Sequence, residues 1–279
     1  MALVPEVSCM AHALASGQSA KHDERCVTYA WLGNRPLFGE VYRGLLPTFF
    51  QNMPIDSGVM IGTFIPSEKV LPGLRFPGDI DVLVIPYEGD QLVLSHTLAI
   101  EVKIIRARFL QQQKSPNQYG FSQAKGLLAV GFPYVAVGHL IVSDQSPKEA
   151  WRELQMTKIL DADSGQCALL ESVRHDMLPA DLMHRSHGRL IRNCPDPLLG
   201  HFSAYPLARD TWFPKTMDVS RNPLTNSALL DGIYGFYEEN HQHFLWTRKH
   251  PSTSPCSQYD WQSEEYTKRL IAKMQQDFH

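Results

Sequence analysis

Apolar positions change their spacing several times along the chain, and each change predicts a different element. Asp23 to Leu32 and Gly39 to Phe50 carry apolar residues at helical intervals, with breaks at Gly33-Asn34 and Met53-Pro54. Val59 to Ile65 reads as an extended piece before Pro66. Pro77-Gly78 marks a turn, Ile80 to Ile85 is a β-branched strand closed by Pro86, and Gln91 to Leu94 and Thr97 to Ile105 read as two more strands. After the polar run QQQKSPNQ, a helix is predicted from Gly120 to Val130, ending near Gly131, and Tyr134 to Val142 is a further apolar strand. Strands in this order around one helix predict an α/β fold with a central mixed sheet flanked by helices.

Ser146-Pro147-Lys148-Glu149 has the form of a helix opening, with a capping serine, a proline that has no amide to satisfy, and a glutamate at the capping-box position. A helix from Pro147 to about Ile159 follows from it. Beyond Asp161 prolines and glycines recur, which predicts a less regular C-terminal half of short elements. There, Ser227 to Glu239 reads as a helix broken at Gly232 and Gly235, His250 to Ser257 as a loop, and Ser263 to Gln276 as a helix. The expected organisation is an α/β core over residues 1–160, including the N-terminal helices, and an extension or accessory region over 161–279 that either stands apart or packs on the same core.

Composition narrows the classes. The 279 residues are 43% hydrophobic and 20% charged, enough to bury a core and unlike a disordered chain. No apolar stretch has the length of a membrane span, and the first residues lack a basic leader before an apolar run, so a cytoplasmic protein without a membrane partner is the expectation. Five widely spaced cysteines with no CxxC pair predict free thiols. The net charge of −3 hides a local asymmetry: no Asp or Glu occurs from Val102 to Ser143, while Lys103, Arg106, Arg108, Lys114 and Lys125 lie there. Such a patch can hold phosphates, which makes Arg106, Arg108, Lys114 and Lys125 candidate nucleic-acid contacts.

The candidate chemistry stands in two strands, GDIDVLVI and LAIEVKII. Alternation puts Asp79 and Asp81 on one side of the first, and Glu101 and Lys103 on one side of the second. Carboxylates among Ile80, Val82, Ile100 and Val102 need a partner, because burying an unpaired one costs several kcal/mol, whereas a hard divalent cation can bind two or three and keep water. Asp81 and Glu101 are the preferred metal ligands, with the backbone carbonyl of Val102 able to complete the shell and Lys103 placed to counter charge on a phosphoryl group. Asp79 is either a further ligand or a group one layer out, and Glu40 either reaches over from the preceding helix or stays a solvated glutamate.

These residues carry a likeness to a known family. PGDIDVLVIP followed by LAIEVK resembles the PD-(D/E)XK phosphodiesterase superfamily, with Asp81 (or Asp79), Glu101 and Lys103 matching its acidic-x-Lys arrangement. The strict Pro-Asp pair is absent, since Gly78 separates Pro77 from Asp79. The resemblance covers about residues 40–142 and implies a restriction-endonuclease-like core. It also implies that Gln123 and Lys125, on the helix after the triplet, contact phosphate or orient Lys103, and it gives Gln118-Tyr119 a faint similarity to the motif of the exonuclease-like branch. The implied activity is Mg²⁺-dependent hydrolysis of nucleic-acid phosphodiester bonds, with Mn²⁺ as a substitute, DNA favoured over RNA, and a role in defence or DNA repair compatible. A homodimer or larger complex is compatible too. The alternative is a noncatalytic nucleic-acid-binding or complex-assembly module that keeps the fold.

Lesser signals compete with this reading. His184 and His187, or His241 and His243, could bind zinc with Cys194 or His201, although twelve histidines make chance pairs common. Tyr234, Phe236 and Tyr237 are spaced for helix packing more than for stacking on bases. No GxxxxGK[ST] segment supplies a nucleotide-hydrolysing motor.

Overall fold

Residues 24–73, 78–112, 119–161, 164–207 and 213–249 are described by a computed structural model. Three helices come first: α1 (Glu24–Gly33), α2 (Arg35–Leu45) and α3 (Pro47–Asn52). The predicted helix over Gly39 to Phe50 is therefore two. Leu46 leaves helical geometry because Pro47 disfavours it in the residue before. Asn34 caps α2 by accepting the Leu37 amide at 3.2 Å.

The central elements follow as β1 (Ser57–Pro66), α4 (Ser67–Val70), β2 (Asp79–Glu88), β3 (Gln91–Leu92), β4 (Leu98–Ala107), α5 (Phe121–Val130) and β5 (Tyr134–Ser143). Pro86 does not close β2: the strand continues to Glu88, with Pro86 opposite Val59 and its carbonyl accepting the Val93 amide at 2.8 Å. The expected strand over Gln91 to Leu94 shrinks to two residues before a 3-10 turn at Leu94–His96. Gly120 and Gly131 bracket α5, both in the left-handed region that an L side chain rarely adopts.

The second half is more regular than its glycines and prolines predict. It contains β6 (Arg152–Asp161), β7 (Gln166–His175), α6 (Leu178–Asn193), β8 (Gly200–Ala204), β9 (Lys215–Met217), α7 (Ser227–Asn240) and β10 (Leu245–Arg248). The helix expected over Pro147 to Ile159 is absent. Only Lys148–Ala150 make a 3-10 turn, and β6 then pairs antiparallel with β7. Asp176 takes the Ser146 amide, and Asp161 binds the Ser164 amide and hydroxyl ahead of left-handed Gly165, so a turn between two extended runs wins over the local helix signal. The helix over Ser227 to Asn240 is unbroken. Gly232 serves close packing there, since a Cβ would sit 1.8 Å from the Val70 carbonyl. The helix expected over Ser263 to Gln276 and the loop over His250 to Ser257 lie outside the described residues.

The strands other than β6 and β7 form one mixed sheet in the order β10-β1-β2-β4-β5-β8-β9, with β3 attached to β2. The neighbours β4, β5 and β8 are parallel and the other pairs antiparallel. This sheet draws strands from both sides of residue 160. On one face, Trp31, Leu37 and Leu45 of α1 and α2 pack on Val82, Val84, Ile100 and Phe202. On the other, Leu127 of α5 and Leu229 and Ile233 of α7 pack on Leu83, Ile85, Ala99 and Val135. Each large side chain so buried stabilises the fold by about 1.5–3 kcal/mol against leaving it exposed. No helix among the described residues is long and apolar enough to cross a membrane.

Candidate functional site at a fork in the sheet

Strands β2 and β4 pair only over Val82–Val84 and Leu98–Ile100. Beyond that point β2 stays with β1 as far as Asp79, while β4 stays with β5 to Ala107, so the sheet forks between its two central strands. Separation frees backbone groups that the ladder would have satisfied. Asp81 stands at the mouth of the fork, and its Oδ2 accepts the Val102 amide at 2.8 Å in place of a strand neighbour. The N–H and C=O of one strand residue point to the same neighbour, so the Val102 carbonyl opens toward Asp81 as well.

Opposite Asp81 on β1, between the paired residues Thr63 and Ile65, Phe64 has φ of +50°, which is unusual for a bulky side chain. Its ring meets Tyr29 edge-on at 6.0 Å and lies 5.1 Å from the Arg25 guanidinium. Backbone in this region costs on the order of 1–3 kcal/mol and is kept only where the surroundings determine it, commonly beside functional groups.

Continuing the register, Glu101 faces Asp81. Glu101 is fully buried, and its Oε1 is paired with the Lys103 ammonium at 2.7 Å. Burial and then the neighbouring Asp81 charge push the Glu101 carboxyl up to about 8, against the pull of Lys103. Burial also raises Asp81, opposed by the Val102 amide and by Lys103. For Lys103, burial works to lower the ammonium, but Glu101, Asp81 and Glu24 outweigh it and the net shift is upward. The result is two crowded acids and one firmly charged, partly exposed amine at the fork.

Other predicted residues distribute unevenly. Asp79 is exposed at the start of β2, near enough for its charge to raise Asp81. Gln123 of α5 reaches that end of the strand, its Nε2 3.4 Å from where a Cβ on Gly78 would lie. Lys125 is exposed on α5. Arg106 alternates with Lys103 and so emerges with Val102 on the opposite face of β4, and Arg108 is exposed just past the strand end. Lys114 and Gln118 lie outside the described residues. Glu40 is not brought to the fork: it pairs with Arg43 on α2, which packs on β8 and β9.

Two residues that carry no sequence signal for the site bear on the fork. Glu24, in the first turn of α1, acts on Lys103 through its charge; in sequence it was one acid at a helix start, with nothing to link it to a strand 79 residues away. Gly120 presses on the site from the other side: a Cβ there would lie 3.1 Å from Glu101 Cγ and 3.4 Å from Lys103 Cγ. Its φ of +88° was foreshadowed only by its place before a helical run.

Among the described residues, no group of three or more His, Cys, Asp or Glu side chains is placed to hold a metal ion. That applies to the histidine pairs too. The His187 and His201 rings lie 5.4 Å apart between centres, tilted by 35°, and His241 Nδ1 lies 3.0 Å from the Glu238 carbonyl. Tyr237 is core, with Phe236 packed against the same cluster. Cys26, Cys167 and Cys194 are free thiols.

Comparison with known proteins returns no matching family model, curated protein or solved structure. The chemistry of the fork therefore has to be argued from its own groups. Two adjacent carboxylates, one of them fully buried, can share a proton or a cation. Mg²⁺ commonly binds through one or two carboxylates and completes its shell with water and phosphate oxygens, so Asp81, Glu101 and the Val102 carbonyl are the groups here that could hold one.

Proposed function

We propose that the fork is the active site of a metal-dependent nuclease with a restriction-endonuclease-like core, acting on nucleic-acid phosphodiester bonds and on DNA in preference to RNA. The observation that carries this reading is the fully buried carboxylate of Glu101 facing a second acid, Asp81, with the Lys103 ammonium 2.7 Å away. A purely structural ion pair would need Glu101 and Lys103 only. It does not call for a second acid crowded against the first, an arrangement that is costly unless the pair shares a proton or holds a cation.

Asp81, Glu101 and the Val102 carbonyl would hold Mg²⁺, or Mn²⁺ in its place, with Asp79 one layer out. When bound, the ion supplies Lewis-acid charge at the phosphoryl oxygen and makes water a better nucleophile. Lys103 places its charge where negative charge grows as water attacks phosphorus and the bond to the leaving oxygen lengthens. Gln123 borders the acidic end of β2 and would offer a polar contact to the backbone of the substrate, and Lys125, exposed elsewhere on α5, would offer a basic one.

The test is incubation of the protein with single- and double-stranded DNA and RNA, with Mg²⁺ or with chelator, beside Asp81→Asn, Glu101→Gln and Lys103→Met. Cleavage that needs Mg²⁺ and falls by about 100-fold or more in each folded variant is expected. Nucleic-acid binding without cleavage, unchanged by the three substitutions, would instead favour the noncatalytic module.

A further inference from the structure

His139 lies directly across from Lys103 in the parallel β4–β5 pair and is fully buried on the same face of the sheet. Its ring is held at both nitrogens. Nε2 is 3.2 Å from the Tyr119 carbonyl, and Nδ1 is 2.8 Å from Ser186 Oγ on α6. A carbonyl only accepts, so Nε2 carries the proton; a neutral ring then leaves Nδ1 bare, and the Ser186 hydroxyl donates to it. The Tyr119 ring stacks over the imidazole at 6.2 Å with 16° between planes. The next residue is Gly120, the one whose α-carbon backs onto the side-chain stems of Glu101 and Lys103.

We infer that His139 is a positioning residue: through the Tyr119 carbonyl it fastens Gly120 against Glu101 and Lys103, and Ser186 locks the tautomer that makes this bond. The inference rests on the fork being catalytic. Three elements meet at the ring, since β5 carries it, α6 supplies the hydroxyl and the segment entering α5 supplies the carbonyl. The Lys103 stem has Gly120 on one side and its own sheet on the other, so slackening at Tyr119 lets the ammonium wander. Misplacement of a charged group by about 1 Å can cost on the order of 100-fold in rate. Hydroxyl and carbonyl partners that orient a group without touching substrate act in this indirect way.

The experiment compares His139→Leu, His139→Gln and Ser186→Ala with the native protein in two readouts: amide hydrogen exchange at Gly120 and Phe121, and cleavage of DNA at saturating Mg²⁺. Glutamine keeps an N–H for the Tyr119 carbonyl; leucine fills similar space without one. Expected for His139→Leu are faster exchange at Gly120 and a fall in kcat of about 10- to 100-fold with KM changed less than about twofold. His139→Gln should recover most of both, and Ser186→Ala should shift both in the same direction by less. Should His139→Leu fail to fold, Ser186→Ala carries the same two readouts. Unchanged exchange in the folded variants, or faster exchange with kcat intact, overturns the inference. If the native protein cleaves no nucleic acid, it is the nuclease reading that fails, and the exchange data alone then decide whether the clamp exists.

Discussion

At the scale of single residues, Glu101 sets the behaviour of the fork. An ordinary glutamate titrates near 4.5, and burial with Asp81 alongside lifts this one to about 8. Between those values the folded chain keeps a proton that the unfolded chain has released, so the contribution of this group to stability is whole below 4.5 and declines as pH rises toward 8. Glu101→Gln is neutral throughout and lacks that slope. Its stability relative to the native protein, from urea melts, should therefore climb between about pH 5 and about pH 8; a constant offset would mean that Glu101 titrates normally. Two histidines, His139 fully buried and His187 partly so, act with the opposite sign. Burial first of all pulls His139 and His187 down to about 4, so between their ordinary 6.5 and that value the unfolded chain takes up protons that the folded chain refuses. Stability should fall as pH drops through this window, and His187→Gln should flatten that acid limb. Gly120→Ala is expected to cost about 1–2 kcal/mol from backbone conformation, read as a lower urea midpoint, and to slow cleavage further by pushing on Glu101. Asp81, Glu101 and Lys103 were legible in sequence because charges interrupt two runs of β-branched residues, an anomaly with few inexpensive explanations. Glu24 and His139 were not, since each owes its place to a contact between elements that no local pattern encodes.

Among the elements, the clearest divergence between sequence and structure is the β6–β7 hairpin. Ser146-Pro147-x-Glu149 is a good helix start, but propensity is a weak prior when a matching strand lies just beyond a turn. The Ser164-Gly165 pair between two runs containing Thr157, Ile159 and Val173 was the available sign of the hairpin. Its pairing is also irregular, with register shifts between Gln155 and Thr157 and between Ile159 and Asp161. Met156, Ile159, Leu160, Leu169, Leu170 and Val173 are exposed along it. Leu169→Lys, at a residue 75% exposed, should leave the unfolding midpoint within about 0.5 kcal/mol of native while shortening retention on a hydrophobic column. Destabilisation of several kcal/mol would show that Leu169 is covered in solution. Gly232→Ala behaves otherwise, because its Cβ would collide with the Val70 backbone. A loss of about 1–3 kcal/mol, from overpacking between α7 and α4, is expected in urea melts.

For the whole molecule, the strand-strand-strand-helix-strand order was readable from periodicity, and the sheet it builds contains the fork. What stayed hidden is that later strands extend this sheet at both edges. The strands β8 and β9 are short, and β10 has four residues, too few for alternation to stand out. Pairing of β10 with β1 is specific nonetheless. Val59 faces Thr247, Arg35 donates to the Trp246 carbonyl at 3.0 Å, and the Lys249 amide reaches the Ser57 carbonyl at 2.9 Å.

Such an edge has a history in time as well as a place in space. Its two strands are separated by roughly 180 residues of chain, so at about 5–20 residues per second a ribosome completes β1 about 9 to 36 seconds before its outer neighbour exists. Throughout that interval one flank of the nascent sheet presents bare backbone, a template for pairing with the wrong chain.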